Sequence, residues 1–203
     1  MSVNSRTLRI ASWNVRGLGR KDKCRDVKRD ISSCNVDLVC IQETKLQDFN
    51  YFKAISFLPN SLTSHFAKPS LGASGGILSA WSDSTVEHIS STIGPFYVHS
   101  TFSHQMMDAT FSITNVYGPC DHGTKLDFLD SLKTVADSIH GAWLIFGDFN
   151  LIRSPNEKSN DNFNSTEAGW FNEFISELGL QDIPLLDRLY TWSNNHDSPT
   201  LSP

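Results

Sequence analysis

The segment WLIFGDFN, residues 143–150, joins a run of strand-forming apolar residues to two polar side chains, Asp148 and Asn150. Side chains alternate between the two faces of a strand, so these two would point the same way if the extended chain continues through Phe149. They could then act together on one small target. The alternative is an ordinary turn, because Asp and Asn both favour turns.

Three further apolar runs end on polar residues in the same manner. The runs are IASWNVRGLG, DLVCIQET and FSITNVYGP, and their polar ends are Asn14, Gln42 with Glu43, and Asn115 with Tyr117. Carboxylates are hard oxygen ligands for Mg²⁺, which completes its shell with water and substrate phosphate. Asn and Tyr can hydrogen-bond phosphate oxygens without adding negative charge. Four strands that each end in such a group predict a functional site for chemistry on phosphate.

Other chemistries have little support in the sequence. It contains no Lys-bearing P-loop and no His/Cys cluster. The cysteines show no CxxC spacing, so neither a zinc site nor a disulfide framework is predicted, and a reducing compartment fits best. The N-terminus lacks a signal-peptide pattern, and no run of apolar residues is long enough to span a membrane. We therefore expect an intracellular protein, nuclear or cytoplasmic, that is not secreted and has no membrane partner.

The formal net charge of −5 argues against a protein that coats nucleic acid through bulk positive potential. Basic residues are nevertheless concentrated between residues 16 and 29, where only Asp22 and Asp26 oppose them. This local patch predicts phosphate binding, and a solvated helix face is the alternative. The residues expected to contact nucleic acid are Arg16, Arg20, Lys21, Lys23 and Arg25.

The pattern of the chain alternates between strands and helices. Strands are predicted at residues 8–13, 36–41, 76–81, 97–102, 110–116 and 143–146, the last of them buried on both faces. Helices are predicted at about residues 22–33, 125–139 and 165–178, with Asn164 and Glu167 as a capping pair. Several strands follow one another between residues 62 and 111, which predicts antiparallel hairpins inside a mixed sheet. No repeat or linker is present, so residues 1–203 are interpreted as one α/β domain.

Six motifs together give the sequence a family resemblance. SWNVRGLG, VCIQETK, GASGGILSAW, NVYGP, LIFGDFN and YTWSNN occur in the order expected of the endonuclease/exonuclease/phosphatase superfamily. The residues in these motifs most resemble those of the apurinic-type endonuclease domain of plant non-LTR (LINE-type) retrotransposons. The match runs from about residue 8 to residue 193. The resemblance implies a DNase I-like four-layer α/β sandwich, in which two mixed sheets pack face to face with helices outside.

The resemblance also implies a role for each residue at the strand ends. Glu43 matches the family's principal Mg²⁺ ligand, with Asn14 beside it and Mn²⁺ as an alternative ion. Asp148 matches the residue that orients or deprotonates the attacking water. Asn150 and Tyr117 match groups that bind the scissile phosphate, so the expected substrate and partner is DNA.

The sequence departs from the family pattern at several positions. Arg16 stands where many repair-type relatives have an acidic residue, and Cys120 stands where they have a phosphate-binding Asn. Relatives end on Ser-Asp-His, whereas this chain stops at SPTLSP, so we expect a domain that lacks its last strands and has weak or no activity. Asp121 is expected to cap the helix that follows, which gives His122 no catalytic role, and His196 receives none either.

Three functions therefore remain open. The first is a Mg²⁺-dependent phosphodiesterase that nicks DNA, weakened or inactivated by the absent terminal motif. The second, of a different class, is a non-catalytic nucleic-acid-binding remnant of a retroelement that uses the basic patch. The third is a phosphatase or phospholipid-cleaving member of the same superfamily, which the retroelement-like motifs disfavour.

Overall fold

The structure is a computed structural model that describes residues 7–72, 74–106, 109–159, 163–186, 190–193 and 201–202. The chain divides into a larger unit, residues 1–117 with 139–148, and a smaller unit, residues 118–138 with 149–203. The interpretation of the whole chain as a single domain stays a prediction. Across the described residues, every helix is too short or too polar to cross a bilayer.

The larger unit contains two four-stranded mixed sheets. Its elements are β1 (Ile10–Asn14), α1 (Lys21–Cys34), β2 (Leu38–Gln42), α2 (Tyr51–Phe57), β3 (Ser64–Leu71), β4 (Ser74–Trp81), β5 (Val86–Ile93), β6 (Tyr97–His104), β7 (Ala109–Tyr117) and β8 (Ala142–Asp148). The first sheet has the order β1-β2-β4-β3 and the second has the order β5-β6-β7-β8. The pairs β1–β2 and β7–β8 are parallel, and all the other neighbours are antiparallel. The predictions of α/β class, mixed sheets and antiparallel hairpins are confirmed.

Strand β2 shows why this unit is layered. Its residues alternate between two apolar environments, as the period of a strand requires. Leu38 and Cys40 belong to the core between the two sheets, where they join residues such as Phe102 of β6. Val39 and Ile41 belong to a second core on the opposite face, under α1 and α2. A helix layer therefore covers the first sheet, and the second sheet packs against the other face.

Two sequence predictions about this unit need correction. Strand β8 is half-buried along residues 143–148 rather than buried on both faces, because among the described strands it pairs only with β7. The helix α2 was not among the predicted elements, and β3 and β5 lie in the span of residues 62–111 where several strands were predicted without individual bounds. At Gly147 of β8 the backbone of β7 approaches so closely that a Cβ would overlap the carbonyl oxygen of Val116.

The smaller unit contains the helices α3 (Lys125–Ala136) and α4 (Ser165–Glu177) and the short antiparallel strands β9 (Trp192–Ser193) and β10 (Leu201–Ser202). Helix α3 ends three residues before the predicted end. Asn164 caps α4, because its side chain accepts hydrogen bonds from the backbone N–H groups of Thr166 and Glu167. The aromatic rings of Phe128, Phe149 and Phe171 pack in a row between the helices.

Candidate active site

The predicted residues of the larger unit lie at the carboxyl ends of its parallel strands. Asn14 and Gln42 are register partners at the ends of β1 and β2, and Glu43 follows directly. Tyr117 and Asp148 are register partners at the ends of β7 and β8. The Nδ2 atom of Asn14 donates a hydrogen bond of 2.7 Å to Oδ2 of Asp148 and so joins the two sheets at this edge. The structure thus brings these strand ends together.

The loop that carries Glu43 is fixed by backbone hydrogen bonds rather than by helix or strand. The Glu43 carbonyl accepts from Gly17 N at 2.7 Å, and Thr44 N donates to the Gly76 carbonyl at 3.0 Å. Both Arg16 (φ 53°) and Glu43 (φ 54°) have left-handed backbones. This conformation is costly for residues with side chains and persists only where the surroundings enforce it.

Gly76 of β4 allows this loop to approach the sheet. A Cβ at Gly76 would overlap Oγ1 of Thr44 and lie 3.2 Å from the backbone nitrogen of Lys45. Gly76, which belongs to the GASGGILSAW motif, therefore supports Glu43 indirectly, by making room for the residues that follow it. Sequence reasoning used this segment only as a family motif.

Two polar strand-end residues turn out to be interior. Gln42 is 1% exposed and Asn115 is 0% exposed. Gln42 Nε2 donates to Asn115 Oδ1 at 2.7 Å, and Asn115 Nδ2 donates to the Leu78 carbonyl at 2.9 Å. These bonds cross from one sheet to the other, and Gln42 is the register partner of Asn14. Because both amides are satisfied inside the protein, they fix the spacing of the sheets.

The charge of Glu43 is balanced by a neighbour that sequence reasoning did not single out. Glu43 Oε1 lies 3.0 Å from Lys45 Nζ, and the Glu43 side chain is 18% exposed. Among the described residues, no group of three or more His, Cys, Asp or Glu side chains forms a metal cluster. The oxygens near the strand ends are instead the carboxylates of Glu43 and Asp148 and the amide of Asn14. This set fits a Mg²⁺ held by one or two carboxylates plus water and phosphate, and does not fit a protein cage.

Asn150 is placed differently from the prediction. Strand β8 ends at Asp148, and Asn150 has a left-handed φ of 50°. The premise that an extended chain continues through Phe149 is therefore wrong, and strand alternation does not orient Asn150. Within the smaller unit, Asn150 Nδ2 donates to the Gly118 carbonyl at 2.8 Å. The backbone carbonyl of Asn150 accepts a hydrogen bond from Lys125 Nζ, also at 2.8 Å.

The basic patch forms part of an open depression of about 430 Å³ that begins at Val15, next to Asn14. Its lining includes Arg16, Arg20 and Lys23, together with Asp22 and Asp26. Lys21 and Arg25 are exposed on α1 and do not line it.

The cations of this depression are already engaged with neighbours. The Arg20 guanidinium donates to the Asp22 carboxylate, and this hydrogen bond raises the pKa of Arg20 and lowers the pKa of Asp22. Lys23 Nζ lies 5.6 Å from the centre of the Trp13 ring. Asp22 therefore offsets the charge of Arg20, whereas Lys23 keeps its charge over the Trp13 ring.

The prediction for Asp121 is wrong in its detail. Asp121 does precede a short 3₁₀ turn, His122–Thr124, but its side chain makes no capping hydrogen bond. His122 Nδ1 instead pairs with Glu167 Oε1 at 2.7 Å, a contact between residues 45 positions apart that no local pattern indicates. His196 lies outside the described residues.

Comparisons with known proteins agree with this architecture. Residues 11–201 match the Endonuclease/Exonuclease/phosphatase family, so the chain belongs to that family. A comparison with curated protein sequences gives no match.

Several solved structures are similar at low identity. The endonuclease domain of TRAS1, a telomere-specific non-LTR retrotransposon, is 12% identical with a TM-score of 0.69, over 97% of this chain and 82% of that chain. An AP endonuclease from Archaeoglobus fulgidus is 15% identical with a TM-score of 0.68, over 84% and 71% of the two chains. The Xenopus laevis APE2 catalytic domain is 19% identical with a TM-score of 0.64, over 82% and 67%. These likenesses show the DNase I-like α/β fold.

Proposed function

We propose that this chain is a divalent-metal-dependent endonuclease that nicks DNA. The observation that carries the proposal is the hydrogen bond between Asn14 and Asp148, which joins the ends of two parallel strand pairs beside Glu43. Family membership and the similarity to an AP endonuclease and to the TRAS1 endonuclease domain support the same reaction class.

Each residue has a chemical role in this proposal. Asp148 accepts a proton from the attacking water, and Asn14 holds its Oδ2 in place from the neighbouring sheet. Glu43 supplies the carboxylate for Mg²⁺ or Mn²⁺, and a bound ion would neutralise charge on the phosphate. Tyr117 and Asn150 donate hydrogen bonds to phosphate oxygens. Arg16, Arg20 and Lys23 bind neighbouring phosphates along the strand.

We further propose that these 203 residues act weakly, as an intracellular LINE-type endonuclease of plant origin. No Ser-Asp-His sequence occurs in them, so an imidazole of that kind is not supplied to the phosphate. Loss of positioned proton transfer costs about 10²- to 10⁴-fold, and loss of a transition-state donor costs about 10²- to 10³-fold. We therefore expect the chain to bind the metal at Glu43 even where turnover is lost.

A plasmid-relaxation assay tests both parts of the proposal. We expect nicking near background for the 203-residue chain, and an increase of at least about 10³-fold after a family-type segment with its Asp and Ser-Asp-His is appended. Asp148→Ala should abolish the increase. An extended chain that never nicks would overturn the endonuclease proposal. Robust nicking by the short chain that depends on Asp148 would overturn the weak-activity proposal and keep the reaction class.

The basic depression favours one second candidate, a non-catalytic nucleic-acid-binding protein. DNA binding that persists in EDTA, without Asp148-dependent nicking in either the short or the extended chain, would support this candidate. DNA binding together with Asp148-dependent nicking would exclude it.

A further inference from the structure

A charged cluster in the smaller unit has no place in the proposed chemistry of the strand ends. Glu167 of α4 is its centre, with Oε1 2.7 Å from His122 Nδ1 and Oε2 2.6 Å from Lys125 Nζ. Both carboxylate oxygens are therefore used, each by a different cation or ring nitrogen. A carboxylate shared in this way holds two partners in fixed positions.

Lys125 and Glu167 form the buried part of the cluster. The Lys125 side chain is 7% exposed and the Glu167 side chain is 16% exposed. Burial acts to raise the pKa of the Glu167 carboxyl, but hydrogen bonds from Lys125 and His122 hold it below its ordinary value. Glu167 is thus a carboxylate at neutral pH, with Lys125 as its internal counter-ion.

His122 is the exposed end of the cluster. Its side chain is 57% exposed, although Glu167 engages Nδ1 and the Trp170 ring lies 5.1 Å away at a tilt of 30°. A histidine whose Nδ1–H is given to a carboxylate has a defined tautomer and ring orientation, which leaves Nε2 for a ligand. In the imidazolium form Nε2 carries a proton and suits an anionic oxygen.

The cluster is connected to a residue of the proposed function. Besides Glu167, Lys125 Nζ donates to the carbonyl of Asn150, and all of these residues belong to the smaller unit. His122, Glu167, Lys125 and Asn150 thus form one hydrogen-bonded series.

We propose that His122 binds a phosphate group through Nε2, with Glu167 as the positioning residue that orients the ring. For its biological ligand, a phosphodiester of DNA, this inference rests on the proposed function. The chemistry itself requires only an anionic phosphate oxygen, so the site can be tested without DNA and without turnover.

Side-chain NMR of the histidines in the 203-residue chain is the deciding experiment, with inorganic phosphate as the probe. Titration at a constant pH of about 6, below the ordinary histidine pKa of about 6.5, against potassium chloride of equal ionic strength, should shift the His122 ring signals saturably and leave those of the exposed His140 unchanged. Glu167→Gln should weaken the apparent affinity by about 3- to 10-fold, the equivalent of one net hydrogen bond. Absence of a saturable shift at His122 would overturn the site. An unchanged affinity in Glu167→Gln would overturn the positioning role.

Fluorescence anisotropy with a short DNA duplex in EDTA then separates this inference from the proposed function. His122→Ala should weaken DNA binding by about 3- to 10-fold, whereas His140→Ala should not. His122→Gln, which keeps an amide N–H, should recover part of the loss, and melting temperatures identify variants that bind poorly because they unfold. If wild-type DNA binding is strong and His122→Ala equals wild type, the inference fails and the proposed function stands. If phosphate shifts His122 but DNA does not bind, the DNA proposal fails and the phosphate site stands.

Discussion

The strand ends of the larger unit and the basic depression beside them contain similar numbers of polar residues but are built in opposite ways. Asn14 and Asp148 are joined across two sheets, and a buried pair of amides, Gln42 and Asn115, joins the same sheets. In the depression, Arg20 pairs with Asp22, two residues away, and both side chains are largely exposed. The first region depends on the fold for its geometry, and the second depends mainly on its own sequence.

This difference has consequences for function. Groups that must meet around one reacting phosphate need fixed positions, because misplacement by about 1 Å can cost about 10²-fold in rate. Groups that bind a flexible, repeating phosphate backbone can adapt, and each contributes a small and separable increment. Substitutions should therefore have large, shared effects at the strand ends and small, individual effects in the depression.

The largest effect is expected where the backbone approach below Asp148 is blocked. Gly147→Ala places a Cβ against the Val116 carbonyl at a residue with φ 138°, which should lower the free energy of unfolding by about 3 kcal/mol. Gly169→Ala in α4, where a Cβ meets no neighbour within 4 Å, should instead raise it by up to about 1 kcal/mol. Urea denaturation measures both, and equal midpoints for the two variants would contradict the packing argument.

A comparable effect on activity is expected at Asn14. Asn14→Ala removes the hydrogen bond to Asp148 and should lower nicking by the extended chain about 10²-fold, because the carboxylate loses its orientation. Asn60→Ala, in an exposed turn, is the matched control. Wild-type nicking by Asn14→Ala would show that the contact between the sheets does not orient the base.

Metal affinity should show an intermediate effect. Glu43→Gln replaces a hard anionic ligand by a neutral amide and should weaken Mg²⁺ or Mn²⁺ binding at least about 10-fold. Calorimetric titration of the 203-residue chain provides the measurement, with Asp48→Asn as an exposed acidic control. Equal losses in both variants would indicate a diffuse charge effect and not a site at Glu43.

Smaller, graded effects are expected in the depression. Arg16→Ala or Lys23→Ala should weaken DNA binding about 3- to 10-fold and reduce the slope of log affinity against log salt by about 1. Arg29→Ala removes the same charge, but Arg29 pairs with Asp26 and Asp30 and lies outside the depression. If all three variants lose the same affinity, net charge and not the depression controls binding.

The smallest effect concerns His99, buried in β6 with Nδ1 2.9 Å from Thr114 Oγ1. Burial lowers the pKa of His99 below 6.5, so the unfolded chain binds the proton more readily than the folded chain. The contribution of neutral His99 to the free energy of unfolding is therefore complete above about pH 6.5. It should decline as the pH falls from 6.5 toward the pKa of His99 in the folded state. His99→Gln should reduce this decline in urea midpoints measured between pH 7 and 5, whereas His140→Gln should retain it.

The sequence by itself determined most of the elements and most of the candidate residues. Apolar runs bounded by turn residues indicated β1, β2, β4, β6, β7 and β8, and helical spacing of apolar residues indicated α1 and α3, because local burial patterns encode these elements. Glu43 and Asp148 were identifiable as acidic residues directly after apolar strands. Their roles came from the order of the family motifs and not from spacing.

Only the tertiary structure decided which polar residues meet. Asn14 and Asp148 are separated by 134 positions, and Gln42 and Asn115 by 73, so the pairing depends on how two sheets stack. The same holds for His122 and Glu167, whose contact requires α3 and α4 to pack. Local sequence fixes which face of a strand a side chain occupies, but only the packing of distant segments decides whether that face is interior or lies beside a partner.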